Sequence, residues 1–335
     1  MFLTRANVLH YLVDKQFAEI ESVVSGTFVV RPLTRRNLNF RVTCGTREYL
    51  VKQAKSWDCE SRKTVEAEAA FYRHEEAGKR LAHLVPQCHS YDPPNSILIF
   101  EYLAGYTDLN AAPDRFAPEV ARLCGETMGT FHREMESSAL ATKFPGNVPW
   151  FLSFLERARD MPAPSAGRRE VVRAVQKYPE FGRALDELRG DWRDDTLIHG
   201  DWRLENCLIA PQRDRLRMVD WEFVSWGDSI WDVSALLQSY LNFWVYWPAE
   251  HPIETLRPAL RSFLNAYAQA RARDPSELAA RAIRFVGAHM LRTAFDALEQ
   301  AEEMTGEALS LLQASLNIVT RPDWAVEQWI GPPLA

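Results

Sequence analysis

The amino-acid sequence predicts an α+β fold of two lobes, in which a small β-rich N-lobe precedes a larger helical C-lobe. Residues 1–103 contain short runs of alternating apolar and polar residues separated by polar breaks, and such runs are typical of β-strands. Residues 104–335 contain longer stretches with apolar residues at i, i+3 and i+4, which are typical of amphipathic helices. The length of 335 residues is sufficient for two lobes of this kind.

Composition and charge limit the classes of protein to which the chain can belong. With 47% hydrophobic and 25% charged residues, it has the composition of a soluble globular protein, and its formal net charge of −6 argues against a nucleic-acid partner. No apolar stretch approaches the roughly 20 residues that span a bilayer, and the N-terminus lacks the pattern of a secretory signal. The five cysteines are scattered without a CxxC pair, so we expect free thiols in a reducing cytoplasm.

The N-lobe is expected to begin with one helix and to continue as a sheet with a single inserted helix. The leading helix spans residues 5–20, where Val8, Leu12 and Phe17 share one face. The inserted helix is expected over Thr64–Ala77. The predicted strands are Thr27–Leu33, Leu38–Cys44, Glu48–Gln53, Leu84–Tyr91 and Ser96–Leu103.

The C-lobe is expected to be a series of helices interrupted by one short β-region. One helix is predicted to run without a break over Arg168–Leu188, and another begins at Asp274, where Asp, Pro and an acid in the first turn form an N-terminal signal. The tail, residues 321–334, is expected to be irregular. The remaining predicted helices are Pro118–Glu134, Ile230–Trp244, Glu254–Ala272 and Gly306–Ile318.

The stretch His199–Cys207, HGDWRLENC, lies in the short β-region and is the most informative part of the chain. It is followed by two short apolar runs separated by a polar turn, which together predict a β-hairpin. Because the ends of a hairpin lie side by side, Asn206 before one strand is expected next to Asp220 after the other. An amide oxygen and a carboxylate are ligands that suit Mg²⁺. Asp201 lies five positions before Asn206, in the same loop, and is free to face a substrate in front of the metal.

These residues resemble a known family. HGDWRLEN followed by VDWEFVSWGDSIWD is similar to the catalytic and metal-binding motifs of the aminoglycoside phosphotransferase and choline kinase family, the small-molecule relatives of protein kinases. The resemblance implies a protein-kinase-like fold with ATP between the lobes. It implies that Asp201 accepts the proton of an acceptor hydroxyl, while Asn206 and Asp220 hold Mg²⁺ on the nucleotide phosphates.

The resemblance also implies roles for residues outside these motifs. Lys52, in the third strand, is expected to pair with the α- and β-phosphates and to be held by an acid of the inserted helix, for which Glu68 is favoured over Glu66. Arg203 is expected to stabilise charge on the transferred phosphoryl group, with a surface arginine as the alternative. The adenine is expected to bond to backbone groups of the segment that joins the lobes, near Glu101, Tyr102 and Leu103, with Phe100 at the back of the adenine pocket.

Three further residues are expected to support the site without touching substrate. His199 and Asp232 are expected to brace the loop that contains Asp201. His132 is expected to be a structural residue of the C-lobe.

One departure from the family concerns the first loop of the sheet, PLTRRNLNF, which contains no glycine. In the family this loop covers the nucleotide phosphates, and glycine lets its backbone approach them closely. Here Arg35 and Arg36 are expected either to supply charge to the phosphates or to lie in solvent.

The acceptor is left open by the sequence, and three functions are considered. The first is an O-phosphotransferase of a small molecule, such as an antibiotic, a sugar or an amino alcohol. The second is a Ser/Thr kinase that modifies a precursor peptide together with a partner lyase. The third is a non-catalytic pseudokinase, which only the glycine-free loop supports. No nucleic acid or membrane is expected as a partner, and the sequence does not distinguish ATP from GTP.

Overall fold

The computed structural model describes residues 1–33, 37–55, 59–74, 80–161 and 164–334, which form two compact units. The first unit contains Met1–Thr107 together with Leu208–Gln212 and Arg217–Val224. The second contains Asp108–Cys207, Arg213–Leu216 and Ser225–Ala335. The first unit is built on a β-sheet and the second is mostly helical, so the predicted fold class is confirmed.

The first unit contains a five-stranded antiparallel sheet in the order β1-β2-β3-β5-β4. Its strands are β1 (Phe28–Pro32), β2 (Leu38–Cys44), β3 (Arg47–Gln53), β4 (Cys88–Asp92) and β5 (Ile97–Glu101). A tight turn at Gly45 joins β2 to β3, and glycine is suited there because its φ is +62°. The fourth strand begins at Cys88, four residues later than the sequence indicated.

The two faces of this sheet bury different sets of side chains, because successive residues of a strand point to opposite faces. Val51 and Ile99 pack against α1 (Val8–Asp14) on one face. Leu98 and Phe100 pack against α3 (Cys59–Arg73) on the other. Lys52 pairs with Leu98 in the register of β3 and β5, so its side chain points to the face that α3 covers.

The leading helix predicted over residues 5–20 is shorter in the structure. Within that segment only α1 forms, at Val8–Asp14, and α2 (Glu21–Val24) follows beyond it after an irregular stretch. Gln16 adopts a left-handed conformation with φ of 62°, which an α-helix cannot accommodate. The backbone N–H groups of Phe17 and Ala18 both donate to Leu12 O, which closes the end of the first helix.

The second unit contains ten described helices, labelled α4 to α13 in chain order. The first five are α4 (Pro118–Glu134), α5 (Ser138–Lys143), α6 (Phe154–Arg159), α7 (Ala166–Lys177) and α8 (Pro179–Gly190). The next five are α9 (Ser229–Tyr246), α10 (Ile253–Arg271), α11 (Pro275–Ala297), α12 (Gly306–Thr320) and α13 (Pro322–Trp329). Among the described helices, none is long and apolar enough to cross a bilayer.

Two predictions about these helices are wrong. The continuous helix expected over Arg168–Leu188 is divided into α7 and α8, because Pro179 cannot continue a helix and instead starts a new one at its first position. The tail expected to be irregular contains α13, which again starts at a proline and buries Ala325 and Trp329, one helical turn apart.

Five short strands lie near the HGDWRLENC stretch. They are β6 (Thr107–Asp108), β7 (Thr196–Ile198), β8 (Cys207–Ile209), β9 (Leu216–Met218) and β10 (Ser225–Gly227). β7 and β10 pair in antiparallel fashion, and β8 and β9 are neighbours in a small sheet, as expected for the predicted hairpin.

The centre of the second unit depends on close approach of α4 to α10. A Cβ atom added at Gly125 of α4 would overlap the carbonyl oxygen of Phe263 and lie 2.9 Å from the backbone nitrogen of Tyr267. Both atoms belong to the backbone of α10 and cannot move aside as a flexible side chain would. Glycine at this position therefore sets the distance between the two helices.

We predict that Gly125→Ala destabilises the protein by about 1–3 kcal/mol, the usual cost of overpacking a core, even though alanine is the better helix former. Gly190→Ala is the matched control, because nothing lies within 4 Å of a Cβ at that helix end. Urea unfolding of both variants tests the prediction. Equal stability of the two variants would contradict it.

Candidate active site

Lys52 lies at the centre of a cluster of charged side chains in the first unit. It is 4% exposed, and its Nζ donates to Oε2 of Glu68 at 2.6 Å. The same Nζ contacts Oδ1 of Asp220 and lies 3.7 Å from Oε2 of Glu222. Of the two acids weighed for the inserted helix, Glu68 is therefore the one that contacts Lys52, and Glu66 is not in this cluster.

The cluster contains one cation and three acids, and burial together with these charges shifts the pKa values of its members. Burial opposes the charge on Lys52, but the carboxylates of Glu68, Asp220 and Glu222 outweigh it and raise the pKa of the lysine. Burial raises the pKa of Glu68 to about 7, although Lys52 acts against this shift. Asn37 Nδ2 donates to Oε2 of Glu222 at 2.9 Å. The excess of carboxylates makes this region attractive to a further cation.

Asp220 is held in an unusual backbone conformation. Its φ is 70°, in the left-handed region that non-glycine residues rarely adopt, and its side chain is 37% exposed. The next residue, Trp221, is anchored on α3. Its ring stacks on Phe71 with 4.0 Å between the ring centroids, and its backbone N–H donates to Oε1 of Glu68 at 3.3 Å. Strain of this kind is common at functional sites, where the surroundings maintain it.

The residues predicted to bind adenine lie at the end of β5. Phe100 is buried, with 2% exposure, and Glu101 is the last residue of the strand. Tyr102 N–H donates to Glu48 O, whereas Leu103 N–H donates to no group in the described part of the chain. Leu103 therefore has a backbone donor to offer to a ligand, and the adenine-binding roles of all four residues stay predictions.

The first loop of the sheet joins β1 to β2. Arg35 and Arg36, which were expected to contact phosphate or solvent, lie outside the described residues. The strands on either side of this loop, β1 and β2, are paired in antiparallel fashion. Phe28 lies opposite Cys44 at one end of the pair, and Pro32 lies opposite Phe40 at the other.

In the second unit, a buried carboxylate organises the loop that follows β7. Asp232 is fully buried in the first turn of α9. Its Oδ2 accepts from His199 N at 2.7 Å and its Oδ1 accepts from Gly200 N at 2.9 Å. Oδ2 also lies 3.1 Å from Nε2 of His132, whose Nδ1 lies 2.9 Å from the hydroxyl of Tyr267. His132 and Asp232 thus support the loop from behind, as the sequence analysis expected.

Asp201 emerges from this loop with its carboxylate fixed from two sides. It is 5% exposed, and Arg203 Nη2 donates to its Oδ2 at 2.7 Å. Asn206 Nδ2 donates to the carbonyl oxygen of Asp201 at 2.9 Å and lies 3.4 Å from Oδ2. The backbone N–H of Asp201 donates to Nδ1 of His199 at 3.2 Å. Because this nitrogen accepts a hydrogen bond, it carries no proton, and His199 acts as a brace for the loop.

Arg292 of α11 is a residue near Asp201 that the sequence analysis missed. Its Nη2 lies 3.7 Å from Oδ1 of Asp201, and its Nε lies 3.5 Å from Oδ2 of Asp296 on the same helix. No local pattern could have indicated it, because α11 reads as an ordinary amphipathic helix and Arg292 is far from Asp201 in sequence.

The oxygens of Asn206 and Asp220 suit Mg²⁺ in chemical type. The amide nitrogen of Asn206 is committed to Asp201, so its oxygen is left to accept or to bind a cation. The carboxylate of Asp220 is part exposed. Within the described ranges, no group of three His, Cys, Asp or Glu residues is arranged to hold a metal ion by itself. Each of these oxygens is of a type that Mg²⁺ binds, and the ion commonly takes one or two protein oxygens and completes its shell with phosphate and water.

Comparison with known proteins decides the family. The sequence profile of the APH family, described as the phosphotransferase enzyme family, matches residues 29–280, which is more than half of the chain. The chain belongs to the APH phosphotransferase family. The predicted family is therefore confirmed.

Solved structures agree with this phosphotransferase fold. An ethanolamine kinase from Plasmodium vivax is 14% identical, with a TM-score of 0.65, and the match covers 95% of this chain and 88% of that one. The aminoglycoside phosphotransferase APH(4)-Ia, solved with ADP and hygromycin B, is 17% identical, with a TM-score of 0.54, covering 93% and 98%. At these identities the likeness shows the fold alone.

A curated relative matches a shorter stretch of this chain. Acyl-CoA dehydrogenase family member 11 of Mus musculus is 26% identical over 93 residues, which is 25% of this chain and 11% of the relative. The relative is thus much longer than the matched segment. Neither this match nor the structural neighbours support a peptide acceptor or a partner lyase.

We predict that Lys52→Met destabilises this family member by about 3–5 kcal/mol, the usual cost of removing one partner of a buried ion pair. Glu68→Gln should recover part of that loss in the double variant, because the two residues interact directly, with a coupling of about 0.5–3 kcal/mol. Urea unfolding of the two single variants and the double variant measures this coupling.

The control is Arg122→Met, which removes an arginine that is 56% exposed and pairs with Glu126, itself 45% exposed, one turn along α4. An exposed pair should contribute at most about 1 kcal/mol. Strict additivity of Lys52→Met and Glu68→Gln would show that the buried pair does not act as a unit.

Proposed function

We propose that this chain is an ATP- and Mg²⁺-dependent O-phosphotransferase that moves the γ-phosphoryl group of ATP to a hydroxyl group of a small molecule. The observation that carries this proposal is the fixed, buried carboxylate of Asp201, held by Arg203 and Asn206 in a loop that Asp232 braces. Family membership and the fold of small-molecule kinases lend support.

Asp201 acts as the general base. Its carboxylate accepts the proton of the acceptor hydroxyl as the hydroxyl oxygen attacks the γ-phosphorus, and the bond to the β,γ-bridging oxygen breaks to release ADP. The hydrogen bonds from Arg203 and Asn206 fix the direction in which the carboxylate points. The main contribution of Asp201 to the rate is therefore that it orients the acceptor hydroxyl.

Arg203 stabilises negative charge on the γ-phosphoryl group during its transfer. One of its N–H groups donates to Asp201, and its side chain is 47% exposed, so the guanidinium lies beside the base and is open to a ligand that approaches Asp201. Such preorganised donors lower the barrier because they are in place before charge develops.

The first unit binds the nucleotide. Lys52 pairs with its α- and β-phosphates and is kept in position by Glu68. Phe100, Glu101, Tyr102 and Leu103 border the adenine, to which Leu103 N–H donates a hydrogen bond.

Asn206 and Asp220 supply the protein oxygens for Mg²⁺. When bound, the ion neutralises charge on the nucleotide phosphates. The excess of carboxylates around Lys52 favours a cation near Asp220.

We predict that Asp201→Asn lowers phosphoryl transfer by about 10²–10⁴-fold while the affinity for ATP changes little, because the amide cannot accept the proton. Purified protein is incubated with γ-labelled ATP, Mg²⁺ and an extract of the cells that make it, split into small-molecule and peptide fractions. Label is expected in the small-molecule fraction, and chelation of Mg²⁺ with EDTA should abolish it.

Asp214→Asn is the matched control, because this aspartate is exposed and pairs only with Arg215 in the described part of the chain. Full transfer by Asp201→Asn would contradict the assigned base. Label confined to the peptide fraction would contradict the small-molecule acceptor.

A further inference from the structure

Two arginines lie beside the carboxylate of Asp201. Arg203 and Arg292 approach it, at 2.7 and 3.7 Å, and in the described part of the chain they are the two cations within 4 Å of it. Asp296 lies beside Arg292, and Arg168 of α7 lies 3.8 Å from Asp296. Asp296 is therefore shared between two arginines.

Arg292 is not saturated by its carboxylate neighbours. Its contacts of 3.7 and 3.5 Å are longer than the roughly 2.7–3.2 Å of an N–H···O hydrogen bond, and its side chain is 24% exposed. A planar guanidinium offers five donors in a fork that matches a carboxylate or a phosphate. Arg292 thus has donors to give to a ligand that approaches Asp201.

Two neighbours of Arg292 on α11, His289 and Phe295, are fixed by contacts of their own and carry no charge that opposes it. His289, one turn earlier on α11, lies with its ring 3.7 Å from that of Trp231 and its Nε2 3.0 Å from Trp231 O. Burial lowers the pKa of His289 to about 3, so this histidine is neutral near pH 7. Phe295, three positions after Arg292 on α11, has the guanidinium of Arg168 4.6 Å from its ring centroid.

We propose that the acceptor of this phosphotransferase is an anion, a small hydroxyl compound that also carries a carboxylate or phosphate group, and that Arg292 binds this group. The proposal rests on the phosphotransferase function proposed above. A cationic acceptor would meet Arg203 and Arg292 at the base and be repelled. An anionic acceptor gains a charge-assisted contact with Arg292, which places its hydroxyl at Asp201.

The first test divides the small-molecule extract by ion exchange into anionic, neutral and cationic pools, each incubated with wild-type protein, γ-labelled ATP and Mg²⁺. We expect label from the anionic pool. Treatment of that pool with phosphatase before the assay distinguishes the two sources of charge, because it destroys a phosphate-bearing acceptor and spares a carboxylate. Label from only the cationic or the neutral pool would overturn the proposal and leave the phosphotransferase function intact. No label from any pool would overturn that function itself, and the proposal with it.

The second test substitutes Arg292. Arg292→Gln should raise KM for the labelled acceptor pool by about 10–100-fold, as expected for loss of a hydrogen bond to a charged group, with KM for ATP unchanged. Arg292→Lys keeps the charge and should recover part of the loss, which a purely structural role would not predict. Arg292→Glu should shift the preference toward the cationic pool.

Arg284→Gln is the control, because this arginine lies on the same helix and pairs with Glu187 at 3.4 Å, away from Asp201. It should leave the KM of both substrates unchanged. An unchanged KM for the anionic pool in Arg292→Gln would overturn the assignment of Arg292.

Discussion

The hydrogen bonds to the carboxylate of Asp232 are the interaction on which the functional residues of the second unit depend. It is buried, and it accepts from the two consecutive backbone N–H groups of His199 and Gly200 while it contacts the ring of His132. A buried carboxylate is costly unless it is fully hydrogen-bonded, so these three contacts and the carboxylate require one another. They fix the start of the loop, and the loop in turn fixes Asp201. The catalytic geometry is thus set by a residue that would not touch substrate.

The first unit follows the same principle with a different residue. Lys52 is buried among three carboxylates, and the alternation of β3 together with the position of α3 decides which of them it meets. The left-handed conformation of Asp220 is maintained because Trp221, the next residue, is stacked and hydrogen-bonded on α3. Both units therefore hold their functional groups through buried charges, with the hydrophobic core as support.

The sequence predicted those parts of the fold that short patterns encode. Period-two alternation indicated the sheet, and the HGDWRLEN and VDWEF motifs indicated Asp201 and Asp220. Features that depend on the tertiary position of a residue could not be predicted from the sequence. Arg292 reaches Asp201 only because α11 packs against α9, and the conformation of Asp220 depends on stacking between Trp221 and Phe71. The division at Pro179 was readable from the sequence, but the helical periodicity on both sides concealed it.

Hydrogen–deuterium exchange of Asp232→Asn tests the central claim most directly, because it needs no acceptor. Loss of hydrogen bonds to a charged group should speed exchange at the amides of His199 and Gly200 by about 10–100-fold, with α8 unaffected. Asp323→Asn, which changes an exposed acid in the first turn of α13, should leave exchange in that loop unchanged. Unchanged exchange at His199 and Gly200 in Asp232→Asn would show that this carboxylate does not hold the catalytic loop.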